Sequence, residues 1–117
     1  MNLYCVVNEL KPEHIEDYAS YHQNAYRTEW KTQLKALEKA GMEICNIYLW
    51  NNYAIMIVGC DDLEACYKRL ALDEDNLRWQ ELMSGFFAAN PKFDGSETMS
   101  QEQIFDLAGQ LKLLGNK

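Results

Sequence analysis

The chain has 117 residues, 48% of them hydrophobic and 25% charged, which suits one ordinary globular domain with a real core and leaves too little chain for two. No run approaches the ~18 apolar residues of a membrane span, and the opening MNLYCVVNEL lacks a basic leader, so a cytoplasmic protein without membrane contact is expected. A net charge of −7 argues against nucleic acid, whose phosphates need a basic surface, and favours an uncharged ligand over an anionic one.

In chain order, residues 3–10 (LYCVVNEL) are β-branched and aromatic and predict a first strand. Pro12 suits a first helical position, with acids in the turn that follows. Ile15, Tyr18, Ala19, His22, Tyr26, Trp30, Leu34 and Leu37 then keep a helical period up to Gly41, a natural stop. A helix of nearly thirty residues is expected, with room for a kink or break near its middle. Residues 43–60 read as two strands around Asn51-Asn52, a plausible hairpin turn because asparagine tolerates positive φ. The second run, YAIMIVG, is apolar almost throughout and predicts a central strand. Asp61-Asp62 can cap a helix from Leu63 to about Leu72, and a further helical segment is expected from Asn76 through Phe87. Residues 88–100 carry the turn signals Asn90-Pro91 and Asp94-Gly95 and read as loop. The end, QEQIFDLAGQLKLL, fits either one amphipathic helix or a short strand over residues 103–107 with a helical tail.

Strand, helix, strand, strand, helix and a possible last strand is the order of an α+β, ferredoxin-like, four-stranded antiparallel sheet with helices on one face. The other face then needs cover, so a homodimer is expected. Cys5, Cys45, Cys60 and Cys66 form no CxxC pair and show no zinc-ligand spacing with the histidines, so reduced structural thiols and no metal are expected.

Two stretches could carry chemistry. Tyr18 and His22 stand four apart, on neighbouring turns of one face, where one ligand can touch both. Histidine moves protons near neutrality and tyrosine offers a hydroxyl, although a core face that includes a histidine would show the same spacing. His14, in the first turn, reads as solvated. In NLRWQELMSGFF, Trp79, Met83, Phe86 and Phe87 follow helical spacing and could simply pin a helix to the sheet. Trp79 and Gln80, beside Arg78, also combine a flat apolar surface with polar forks, which suits a sugar.

Together these segments resemble the L-rhamnose mutarotase family. The matching features are Tyr18-Ala19-Ser20-Tyr21-His22, the helix ending at Gly41, and Ile47-Tyr48-Leu49 opening a hairpin. Asn76-Leu77-Arg78-Trp79-Gln80 with Met83 and Phe86-Phe87 follows, and Gln103-Ile104-Phe105-Asp106-Leu107 looks like the family's closing strand. The similarity spans residues 3–107; residues 1–107 would form a single domain, and residues 108–117 extend beyond it as a tail.

The resemblance implies a dimeric α/β barrel whose chains each hold a neutral monosaccharide between sheet and helices. It implies interconversion of the α and β anomers of a 6-deoxy-hexose, such as L-rhamnose or L-fucose, without cofactor or metal. By the family's pattern His22 is the proton donor, while Tyr18, Trp79 and Gln80 bind the sugar. Anomer exchange would then have His22 protonate the ring oxygen, with Tyr18 or a bound water handling the other proton. The chain departs where the family has a second sugar-binding tyrosine, which falls near Cys45. Tyr26 and Trp30 compete for the family's tryptophan position. On the same fold, a small monooxygenase, a haem-handling protein and a non-catalytic sugar-binding relative are alternative readings.

Overall fold

The computed structural model describes residues 1–89 and 100–115. β1 (Asn2–Glu9) leads through a short 3-10 turn (Pro12–His14) into α1 (Ile15–Gln23). A second 3-10 turn (Ala25–Arg27) precedes α2 (Lys31–Lys39), and the hairpin follows as β2 (Ile44–Trp50) and β3 (Tyr53–Cys60). Next come α3 (Leu63–Leu70) and α4 (Glu74–Ser84), then the two-residue β4 (Ser100–Gln101) and α5 (Leu107–Gly115). The sheet runs β2-β3-β1-β4 with every neighbouring pair antiparallel, which is the expected ferredoxin-like order.

Alternation along the strands divides the sheet into two unlike faces. Val6, Val58 and Cys60 point to one side and are buried with Ala36 of α2, Ala40 just past its end, and Leu63, Cys66 and Leu70 of α3. On that side too, Leu10 and Ala54 pack with Tyr18 of α1, Trp79 and Met83 of α4, and Phe87. Full burial of a side chain such as Leu10 or Val58 is worth about 1.5–3 kcal/mol, so this face anchors all four helices α1–α4. Leu3, Val7, Tyr48 and Trp50 alternate with those residues and are exposed on the opposite face.

Local signals end the elements where the residues suggest. Gly41 takes φ 99°, and its amide and that of Met42 return to the Glu38 and Leu37 carbonyls, closing α2 in a Schellman turn. The Asp62 carboxylate accepts from the Ala65 amide at 3.2 Å and the Asp73 carboxylate from the Asn76 amide at 3.1 Å, starting α3 and α4. Asn51 takes φ 53° at the hairpin tip. No helix among the described residues is long and apolar enough to cross a membrane.

One expectation is refined and another corrected. The break for which the long helix had room falls between Gln23 and Lys31, where the Asn24 side chain bonds the Ser20 carbonyl and Thr28 is extended, so the helical period lapses. Tyr26, placed by that period with Tyr18 and His22, therefore points outward at 69% exposure. The closing strand is not at residues 103–107 but upstream, where Ser100 pairs with Val6 and Gln101 with Cys5. Strand-like residues form a strand only against a ladder partner, and Ile104, at 90% exposure, has left the sheet. Residues 108–115 continue the helix that begins at Leu107. Most of the expected loop at residues 88–100 lies outside the described residues.

Candidate functional site

Between the helix-bearing face of the sheet and α1, α2 and α4 lies a cavity of about 120 Å³. One water needs roughly 10–15 Å³ in that measure, so the space suits a ligand of about ten non-hydrogen atoms. It is lined by Tyr18 and His22 from α1, Gln33 from α2, Cys45 and Ile47 from β2, and Asn76, Trp79 and Gln80 from α4. All four residues singled out from the sequence thus face one space. Among the described residues, no Asp, Glu, Lys or Arg lines it. An ionised ligand would leave water without a counter-charge, which is costly, whereas a neutral polar ligand would not meet that penalty.

His22 is held tightly. Its Nδ1 lies 2.7 Å from the backbone carbonyl of Tyr18. A carbonyl can only accept, so Nδ1 carries the hydrogen, and in the neutral ring Nε2 is left unprotonated. Burial lowers the His22 pKa, partly offset by the Tyr18 carbonyl, which favours the charged form. The ring leans on Tyr18 at 4.2 Å between centroids and meets Trp79 edge to face at 5.0 Å. Trp30 in turn meets Trp79 edge to face at 5.5 Å, so of the two competing aromatics Trp30, not Tyr26, supports the cavity wall.

Burial, with the Cys45 thiol adding to it, pushes the Tyr18 hydroxyl well above its ordinary range, so it remains a protonated donor. Cys45 stands among the lining residues, with its own thiol pKa raised by burial. Arg78 is turned away, exposed and paired with Asp75. His14, expected to be solvated, is half-buried against Phe86 at 5.3 Å and paired with Asp17 at 3.2 Å.

Sequence reasoning missed Asn8, Gln33 and Asn76, all buried and all lining the cavity. A signal was present in part: Gln33 sits on the buried period of α2 with Ala36 and Ala40, an amide where hydrocarbon is the rule. Gln33 Nε2 donates to Asn76 Oδ1 at 2.9 Å, while Gln33 Oε1 is buried with no hydrogen-bond partner among the described residues. An unsatisfied buried acceptor costs about 1–3 kcal/mol.

The family profile for L-rhamnose mutarotase matches residues 3–107 of this chain. Among solved structures, the L-rhamnose mutarotase FA22100 from Formosa agariphila superposes with a TM-score of 0.69 and 17% identity, covering 92% of this chain and 99% of that one. Tetracenomycin F2 cyclase from Streptomyces glaucescens, a type-II polyketide cyclase, superposes with a TM-score of 0.57 and 14% identity, covering 91% and 96%. At these identities the two structures share a fold with this chain. No curated protein sequence matches it.

Proposed function

Because the chain belongs to the L-rhamnose mutarotase family, and is thereby an isomerase acting on a sugar, we propose that it interconverts the α and β anomers of an uncharged 6-deoxy-hexose, L-rhamnose or L-fucose, at His22. The observation that carries this reading is an imidazole oriented by the Tyr18 carbonyl, in a cavity walled by Trp79 and lined by no Asp, Glu, Lys or Arg among the described residues. Anomer exchange moves one proton from the anomeric hydroxyl O1 to the ring oxygen O5. The C1–O5 bond breaks, a C1–O1 carbonyl forms, the aldehyde rotates, and the steps reverse. Neither redox change nor net charge is involved.

His22 Nε2 accepts the O1 proton and delivers it to O5, with Tyr18 as a hydrogen-bond donor to the sugar. Trp79 presents an indole face to the C–H side of the ring, and Gln80 offers both a donor and an acceptor to hydroxyls. Two copies of the chain, joined through the bare sheet face that carries Leu3, Val7, Tyr48 and Trp50, form the working unit. The cytoplasm is its setting, a reducing compartment that suits the thiols of Cys45, Cys60 and Cys66.

Exchange NMR on the anomeric protons of L-rhamnose and L-fucose tests the reaction directly. His22→Ala should lower the catalysed rate about 10²–10⁴-fold, and an unchanged rate would remove His22 from the reaction.

A further inference from the structure

α2 and α4 bring two buried amides together at the cavity: Gln33 is 4% exposed and Asn76 3%. Their orientation follows from a single backbone group. The Leu70 carbonyl can only accept, so the Asn76 side-chain nitrogen donates to it at 3.0 Å and Oδ1 is the atom turned the other way. That oxygen can only accept in turn, so Gln33 presents its nitrogen at 2.9 Å, with Gln80 Nε2 a second, longer donor at 3.5 Å. The outward atom of the Gln33 amide is therefore its oxygen. The Asn76 backbone N–H donates to the Asp73 carboxylate at the start of α4, and its side chain is tied to the Leu70 carbonyl, so the network is held before any ligand arrives.

Gln33 Oε1 is buried with no donor among the described residues, and Gln33 lines the same cavity as His22. Leu34, Leu37 and Leu70 around that space supply no donor either. A hydroxyl hydrogen satisfies this acceptor, whereas a methyl, a ring oxygen or a carboxylate does not.

We propose that the Gln33–Asn76 pair is the specificity element of the cavity, Gln33 Oε1 accepting a hydrogen bond from one ring hydroxyl of the sugar. The inference rests on the mutarotase reading above. With O1 and O5 engaged at His22, the hydroxyl is one at C2, C3 or C4. A site built to hold a hydroxyl rejects the analogue that lacks it, because its own polar group is then left unpaired.

The test compares wild type and Gln33→Met, a change that preserves volume and removes the acceptor together with the Nε2 donor to Asn76, whose Oδ1 keeps the longer Gln80 bond. The sugars are the better of L-rhamnose and L-fucose and its 2-, 3- and 4-deoxy analogues, with kcat/KM read by exchange NMR. Wild type should disfavour one analogue by roughly 10–100-fold. Gln33→Met should bring the parent sugar down to that analogue's level while leaving the analogue within about two-fold of its wild-type rate. An equal loss on every sugar, or no loss on any, would overturn the assignment. Wild type alone supplies a second measurement that does not depend on the variant folding: activity on all three analogues within about two-fold of the parent also overturns it. A wild-type chain that exchanges neither sugar strikes at the mutarotase reading itself and takes this inference with it, whereas an active enzyme without the selectivity pattern refutes the inference alone.

Discussion

At His22 two influences oppose each other, and their balance sets a pH dependence. Burial disfavours the imidazolium and outweighs the Tyr18 carbonyl, so the pKa falls below its ordinary 6.5. The base form then predominates at neutrality, and the acid limb of kcat/KM should lie below the ordinary histidine value of 6.5. Stability follows the same sign. Between the lowered folded value and the unfolded value of about 6.5, the unfolded chain binds the extra proton. The contribution of His22 is therefore fully present above that unfolded value and is lost as pH falls through the folded one. Urea midpoints from about pH 5 to 7 should show a steeper acid loss for wild type than for His22→Gln, and identical slopes would contradict the assigned shift. The His22 pair was legible from its spacing because four residues make one helical turn. The Gln33 acceptor was not, because its partner Asn76 lies 43 residues away and its free atom is defined by a carbonyl on a third element, α3.

Among the elements, the stops are the most local features and the most readable. Gly41 ends α2 at φ 99°, and a Cβ there would come within 3.3 Å of the Arg69 guanidinium, which itself donates to the Ala40 carbonyl at 2.8 Å. Gly41→Ala should therefore cost about 1–2 kcal/mol in urea denaturation. Gly85, at φ −71° with the nearest atom 3.6 Å from an added Cβ, is the control: Gly85→Ala should be neutral or mildly stabilising. The closing strand was misplaced for a contrasting reason. Residues 103–107 have strand composition, but pairing depends on the free edge of β1, which among the described residues is met at Cys5 and Val6 by Gln101 and Ser100.

For the molecule as a whole, the two faces of the sheet differ in what covers them. One carries four helices and the cavity; the other leaves Val7 and Trp50 in water, next to half-buried Ile55 and Ile57. A contiguous apolar face of this kind marks an interaction surface. Sedimentation at micromolar concentration should show a dimer for wild type and a folded monomer for Val7→Glu, whose new charge would be buried between two sheets. A wild-type monomer would remove the second copy from the working unit. The fold alone did not select a sugar isomerase over the other readings, since a polyketide cyclase shares it. The choice came from the residues facing the cavity and from the family to which they belong.

By itself the sequence determined the order of elements, their caps and turns, and the candidacy of Tyr18, His22, Trp79 and Gln80, because periodicity and capping act over a few neighbouring residues. Only the tertiary structure decided that Tyr26 turns to solvent, that pairing stops at Gln101, and that Gln33 shares a cavity with His22. Each of those outcomes depends on what lies opposite a side chain in space, which distant parts of the chain supply.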